Sequence, residues 1–234
     1  RILTNSYRFN AVPGATATRT GVLNFASATQ PGGGFKNGAE AQEESLARVS
    51  SLYVSLDSKD GKKFYEVHRN NHSHYYTHSM VWSPGVTVFH NDHGESVQGY
   101  EIDVVSCAAV NAGKILEDKL SWQTAGAEIE IEGAMKERMG RILYLFEIQG
   151  VRNIVLGTFG TGVFKNKISE VARIWAELLV MKDSRFKYSF DRVLFAITGD
   201  STFAEFRGRF EGYTKQKETA RPATGGVQQR NWLG

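Results

Sequence analysis

The stretch Ile102-Asp103-Val104-Val105-Ser106-Cys107-Ala108-Ala109 decides the fold. It is too continuously apolar for a strand with one face in water, and it predicts a strand in the middle of a sheet covered on both faces. Such a sheet needs helical layers, and the flanking segments supply them. Met135, Met139, Ile142, Leu143 and Phe146 recur at helical spacing in a predicted helix from Ile129 to Gln149. After it come strand Asn153–Phe159, helix Ser169–Met181, strand Arg192–Ile197 and a short helix Thr202–Phe210. Toward the start, Val22–Ala26 reads as a strand and a helix runs from about Ala41 to Leu56, broken by the turn chemistry of Ser58-Lys59-Asp60-Gly61. Met80–Trp82 and Val86–Phe89 read as two strands on either side of Ser83-Pro84-Gly85, in the least regular part of the chain. Short β-branched runs alternating with helical periods give an α/β fold.

The chain has 234 residues, 41% of them hydrophobic, enough for one large domain or two small ones. No composition shift marks a boundary. A single domain over residues 1–213 is expected, then a polar tail over 214–234 in which Trp232 and Leu233 can dock on the body. Lys and Arg number 28 against 25 Asp and Glu, spread along the chain, which argues against a dedicated binder of duplex DNA and against sequence-specific nucleic-acid recognition. The lone Cys107 excludes an intrachain disulfide and a paired-cysteine metal knuckle, so reducing, intracellular surroundings are expected, cytoplasmic or nuclear. No apolar run approaches the roughly 18 residues of a membrane span. The start, Arg1 to Asn10, has neither an initiator Met nor the apolar core of a signal peptide, and a trimmed start is expected. We expect a monomer with no membrane partner.

Three segments carry candidate chemistry. Gly32-Gly33-Gly34 follows a strand and is followed, seven residues on, by Gln42-Glu43-Glu44 at a helix start. Consecutive glycines bring backbone N–H groups close to a ligand. A flexible loop with two acids complementing a helix dipole accounts for the same pattern. Adjacent helix residues point about 100° apart, so the two acids cannot flank one bond as an ordinary glycosidase pair does. If the site is catalytic their jobs differ: one accepts substrate hydroxyl hydrogen bonds, and the less solvated one exchanges protons.

The second segment is Asn153 to Phe164, a strand running into Gly157, Gly160 and Gly162, where an α/β sheet binds phosphates; a tight strand-to-helix turn is the other reading. The glycine order does not fit a dinucleotide fold, and no P-loop lysine follows. The third is the set of six histidines, His68, His72, His74, His78, His90 and His93, whose spacing permits a metal but lacks accompanying cysteines. Polar-loop or core-edge histidines are the expected reading, and no metal or cofactor is assigned.

Taken together, Asn24-Phe25-Ala26-Ser27, Pro31-Gly32-Gly33-Gly34 and Gln42-Glu43-Glu44-Ser45-Leu46 resemble the signature of the microbial-type poly(ADP-ribose) glycohydrolases. The likeness extends, loosely in the middle, from about Gly21 to Phe210. It implies a macrodomain fold, a three-layer α/β/α arrangement with a mixed central sheet, and it implies hydrolysis of the ribose–ribose O-glycosidic bond of poly(ADP-ribose), mainly from the polymer end, releasing ADP-ribose. A non-catalytic reader of ADP-ribose, or a hydrolase of ADP-ribosylated protein, is the alternative. By motif position Glu44 is implied as the catalytic acid/base and Glu43 as its neighbour holding ribose hydroxyls. Asn24, Gly32, Gly33, Gly34 and Gln42 are implied to bind the terminal ribose side, and Gly160, Thr161, Gly162, Val163 and Phe164 to surround the diphosphate. Thr161 stands where the family more often has cysteine. A neutral Glu44 would give its proton to the departing 2′-oxygen, and its carboxylate would then activate water.

Overall fold

The computed structural model describes residues 2–3, 19–91, 93–117 and 119–219. Its strands are β1 (Ile2–Leu3), β2 (Thr20–Phe25), β3 (Val81–His90), β4 (Ser96–Cys107), β5 (Asn153–Leu156) and β6 (Arg192–Ala196). Its α-helices are α1 (Gln42–Val49), α2 (Leu52–Leu56), α3 (Lys59–Asn70), α4 (Ala112–Glu117), α5 (Ser121–Ile148), α6 (Ile168–Leu179) and α7 (Asp200–Thr219). The strands form one sheet in the order β1-β6-β5-β2-β4-β3. β4, β2, β5 and β6 run parallel, and β3 and β1 are antiparallel at the two edges, so the sheet is mixed.

β4 shows why the sheet carries helices on both faces. Successive strand side chains point to opposite sides. Ile102, Val104 and Ala108 pack with Leu52 and Leu56 of α2 and Phe64 and Tyr65 of α3. Val105, Cys107 and Ala109 pack with Met135, Met139, Ile142 and Phe146 of α5 and Val171 and Trp175 of α6. The result is the three-layer, macrodomain-like α/β/α arrangement expected from the sequence. Cys107 is fully buried, and burial pushes its thiol up to about 12, an inert core residue. Among the described residues no helix is long and apolar enough to cross a membrane.

Several element boundaries differ from the sequence expectation. Ser58-Lys59-Asp60-Gly61 does not end in a loop: Ser58 Oγ accepts from Gly61 N at 3.0 Å and caps the start of α3. Gly61 is there for space, since a methyl group at that position would meet the carbonyl oxygens of Leu56 and Ser55 at 2.5 Å. The two short strands around Ser83-Pro84-Gly85 are one strand, β3, whose register shifts between Ser83 and Val86. Gly85 adopts a φ of +63°, and its N–H donates to Asp103 Oδ1 at 3.0 Å, so a bulge absorbs the proline. The predicted helix Ala41–Leu56 is two, parted at Ser50, which bridges to Val88. α5 starts eight residues before Ile129, α4 had no counterpart in the sequence reading, and α7 runs to Thr219, across the expected boundary at residue 213. Residues 220–234, with Trp232 and Leu233, lie outside the described residues.

Gly61→Ala gains about 1 kcal/mol of helix propensity but forces its methyl into backbone that cannot swing aside. Overpacking of that kind costs about 1–3 kcal/mol and wins. Urea denaturation should therefore place the variant below the wild type.

Candidate active site

The carboxyl ends of the parallel strands β4, β2 and β5 lie side by side, and the loops leaving them form the site. β2 is the middle strand. Its chain leaves toward β4 on one side and returns to β5 on the other, the kind of switch point at which open α/β sheets bind ligands.

α1 begins directly over the end of β2. Gln42 accepts from Phe25 N at 2.8 Å and donates to Leu23 O at 2.8 Å. Both ends of its amide are therefore spent on β2 rather than presented to a ligand. Glu43 is 2% exposed; Oε2 accepts from Ser27 N at 2.6 Å and Oε1 from Asn24 Nδ2 at 3.3 Å. Burial raises its carboxyl to about 7 against the opposing pull of those hydrogen bonds, with the neighbouring Glu44 adding to the rise. Glu44, 8% exposed, accepts from Gly34 N at 2.9 Å through Oε1. Of the two acids, Glu43 is the less solvated, although the motif places proton exchange on Glu44. Both oxygens of Glu43 are held by protein donors, whereas Oε2 of Glu44 has no hydrogen-bonding partner among the described residues.

Gly33 presses against both acids. It holds a φ of +58°, and a methyl group there would meet Glu44 Oε1 at 2.2 Å and Glu43 Oε2 at 3.2 Å. Gly32, at φ +68°, turns the chain beside Phe35 and Tyr53. Asn24 is fully buried; its Nδ2 donates to Ser106 Oγ at 2.9 Å, and its Oδ1 has no hydrogen-bonding partner among the described residues. Asn24, Gln42, Glu43, Glu44, Gly33 and Gly34 thus converge at the end of β2, with Gln42 bound to the strand backbone.

The loop after β5 forms the second wall. Gly160 takes a φ of +76°, and a methyl group there would meet Ala109 Cβ at 2.4 Å, so the loops after β4 and β5 touch at this point. Asn166 Nδ2 donates to Val110 O at 2.8 Å and Gly160 O at 3.0 Å, tying them together. The Thr161 hydroxyl donates to Thr158 O at 3.0 Å. Gly162 is open on all sides, Val163 is 82% exposed, and Phe164 is half-buried, its ring 5.8 Å from that of Tyr76.

Sequence reasoning missed Ser27, Ser106, Arg138 and Asn166. Arg138 had a readable signal: it stands three residues after Met135 and four before Ile142, a charge on the apolar stripe of α5. The histidines do not converge. His68 is buried in α3, with Nε2 2.9 Å from Thr77 Oγ1, and burial lowers its pKa. His78 Nδ1 lies 3.4 Å from Arg138 Nε. Among the described residues no three His, Cys, Asp or Glu side chains are placed to hold a metal ion.

Residues 3–91 match the family described as "Microbial-type PARG, catalytic domain". Among solved structures, poly(ADP-ribose) glycohydrolase from Deinococcus radiodurans in complex with ADP-ribose is 34% identical, with a TM-score of 0.75 over 83% of this chain and 76% of that one. The chain belongs to the microbial-type poly(ADP-ribose) glycohydrolase family. The enzyme from Thermomonospora curvata is likewise 34% identical, with a TM-score of 0.74 over 86% of this chain and 70% of its own; the same enzyme bound to the inhibitor ADP-HPD is again 34% identical, with a TM-score of 0.74, over 85% and 72%. Comparison with the curated proteins gives no match. In this member of the family the signature Gln42-Glu43-Glu44 and the glycine loop meet at the end of β2, where the Asn24 side chain also lies.

Two expected outcomes follow from this glycohydrolase site. Gly33→Ala, strained at positive φ and driven into Glu44, should displace the acid and abolish turnover in a polymer-release assay. Glu43 holds its proton to higher pH in the folded protein than in the unfolded chain. Stability should therefore fall as pH rises from about 4.5 to about 7. Glu43→Gln should flatten that slope in pH-dependent urea melts, an effect on the order of 3 kcal/mol.

Proposed function

We propose that Glu44 and Glu43 carry the hydrolysis of poly(ADP-ribose) by this member of the family, acting mainly from the polymer end and releasing ADP-ribose. The observation that carries the reading is the meeting of both carboxylates with Gly33, Gly34 and Asn24 at the end of β2.

Asn24 Oδ1 is a buried acceptor with no donor among the described residues, and a ribose hydroxyl would satisfy it. The Glu43 carboxylate, fixed by Asn24 and Ser27, presents the remaining lone pairs of its oxygens to the neighbouring ribose hydroxyls. Hydrogen bonds from those hydroxyls favour its charged form, which also stabilises positive charge at the anomeric carbon as it becomes oxocarbenium-like. Glu44 is the acid: its Oε2, the oxygen not bound to Gly34 N, gives a proton to the departing 2′-oxygen as the glycosidic bond breaks. The carboxylate then takes a proton from the water that attacks the anomeric carbon, restoring the acid. The loop Gly160 to Phe164 would set its backbone N–H groups on the diphosphate, a way for a chain of net charge +3 to hold a polyanion without a strongly basic surface.

The test is incubation of wild type and Glu44→Gln with poly(ADP-ribose), resolving released ADP-ribose from shortened polymer, with ADP-ribose binding measured by calorimetry. Wild type should release ADP-ribose while Glu44→Gln loses at least a hundredfold in rate and binds ADP-ribose within a factor of about three of wild type. Binding without release by the wild type would make the chain a reader, and release only from ADP-ribosylated protein would change the substrate.

A further inference from the structure

We propose that Tyr76 is a positioning residue for the substrate: its ring is the platform against which Phe164, at the end of the diphosphate loop, is set. The inference rests on the reading that the loop from Gly160 to Phe164 holds the diphosphate.

Tyr76 is not where ordinary packing would put a tyrosine. Its φ is +54°, in the left-handed region that costs a side-chain-bearing residue about 1–2 kcal/mol. Among the described residues only one other non-glycine residue adopts a positive φ, Lys165 at +58°, and it directly follows Phe164. The two strained positions therefore bracket one contact, the Tyr76–Phe164 ring pair at 5.8 Å. Strain of this kind persists only where the surroundings over-determine it.

Here they do so on every side. The Tyr76 N–H donates to Ser73 O at 3.0 Å, and His74 O accepts from Asn111 N at 2.9 Å. The neighbouring carbonyl, Tyr75 O, accepts from Arg138 Nη2 at 2.7 Å, while Arg138 Nη1 donates to Ala108 O at 3.0 Å. Arg138 is 1% exposed and forms no ion pair with a carboxylate among the described residues. Burying a guanidinium without a counter-charge is expensive, and a purely structural link between two carbonyls needs no charge. Its placement joins the turn carrying Tyr76 to the loop after β4, which Asn166 in turn joins to Gly160. From behind, the His68 ring stands 5.6 Å from Tyr76, with Phe64 4.4 Å beyond it. A column of rings thus runs from the core under α3 to Phe164, and Phe164 O accepts from Gly113 N at 3.0 Å. The ring of Phe164 is held from the Tyr76 side and its backbone from the α4 side.

Tyr76→Gly separates ring from strain, because glycine accepts the positive φ without penalty. ADP-ribose affinity by calorimetry, kcat and KM on polymer, and the thermal midpoint are measured for Tyr76→Gly, Tyr76→Phe, Phe164→Ala and the double variant Tyr76→Gly/Phe164→Ala. The expected result is about a tenfold loss of ADP-ribose affinity and a matching rise in KM for Tyr76→Gly, with kcat within a factor of about two, near wild-type values for Tyr76→Phe, and a double variant no weaker than Phe164→Ala alone. Wild-type affinity in Tyr76→Gly beside a weakened Phe164→Ala overturns the proposal, as does equal weakening of Tyr76→Phe and Tyr76→Gly, which would assign the effect to the hydroxyl. Wild-type affinity in Phe164→Ala overturns it together with the loop reading. A fall in the thermal midpoint with unchanged affinity and KM makes Tyr76 a folding residue and overturns it as well.

Discussion

The site depends on one side-chain amide. Pairing of β2 with β5 extends only from Thr20 to Val22, and Gln42 takes the next backbone groups, Leu23 O and Phe25 N, as a neighbouring strand would. This substitution fixes the first turn of α1 over the end of the central strand. Glu43 and Glu44 follow Gln42 directly, so their positions are inherited from a sheet hydrogen-bond pattern. The strand below is rigid because β4 continues alongside it to the Phe25–Cys107 pair. A helix start, otherwise the part of a helix most prone to fray, thereby becomes a precise mount for two acids.

Glycine geometry supplies the opposing surface. Gly33 has no room for a side chain, because its backbone lies directly against both carboxylates. Desolvation makes Glu43 retain its proton to unusually high pH, while hydrogen bonds from Ser27 and Asn24 limit the shift. The environments of the two acids differ although they are adjacent in sequence. One is locked by two donors, Asn24 and Ser27, and the other keeps an oxygen without a partner among the described residues. The proposed division of labour between these neighbouring carboxylates rests on this asymmetry rather than on the separation found in ordinary glycosidase pairs.

Much of this was legible in the sequence because it depends on local rules. The continuous apolar run from Ile102 required a two-sided cover, and the triple glycine followed by Gln-Glu-Glu is a local signature. What escaped depends on partners distant along the chain. α3 looked like loop because Gly61 reads as a turn residue, whereas its reason is the carbonyls of Leu56 and Ser55. β3 looked broken because a bulge stabilised by Asp103, 18 residues on, is invisible locally. Asn166 is one polar residue in a loop until Val110 and Gly160 come together around it. Arg138 was the exception, an out-of-place charge whose helical spacing could have flagged it.

The order of assembly has a bearing on how this chain is made. The signature Gln42-Glu43-Glu44 precedes both strands that flank β2: β4 begins 52 residues after Glu44 and β5 begins 109 residues after it. During synthesis the acids therefore leave the ribosome long before their supports, with Asn24 lacking Ser106 and the loop after β2 lacking Cys107 O, to which Ala26 N donates. Long-range parallel pairing of this kind is slow to nucleate and leaves apolar strands open in the meantime.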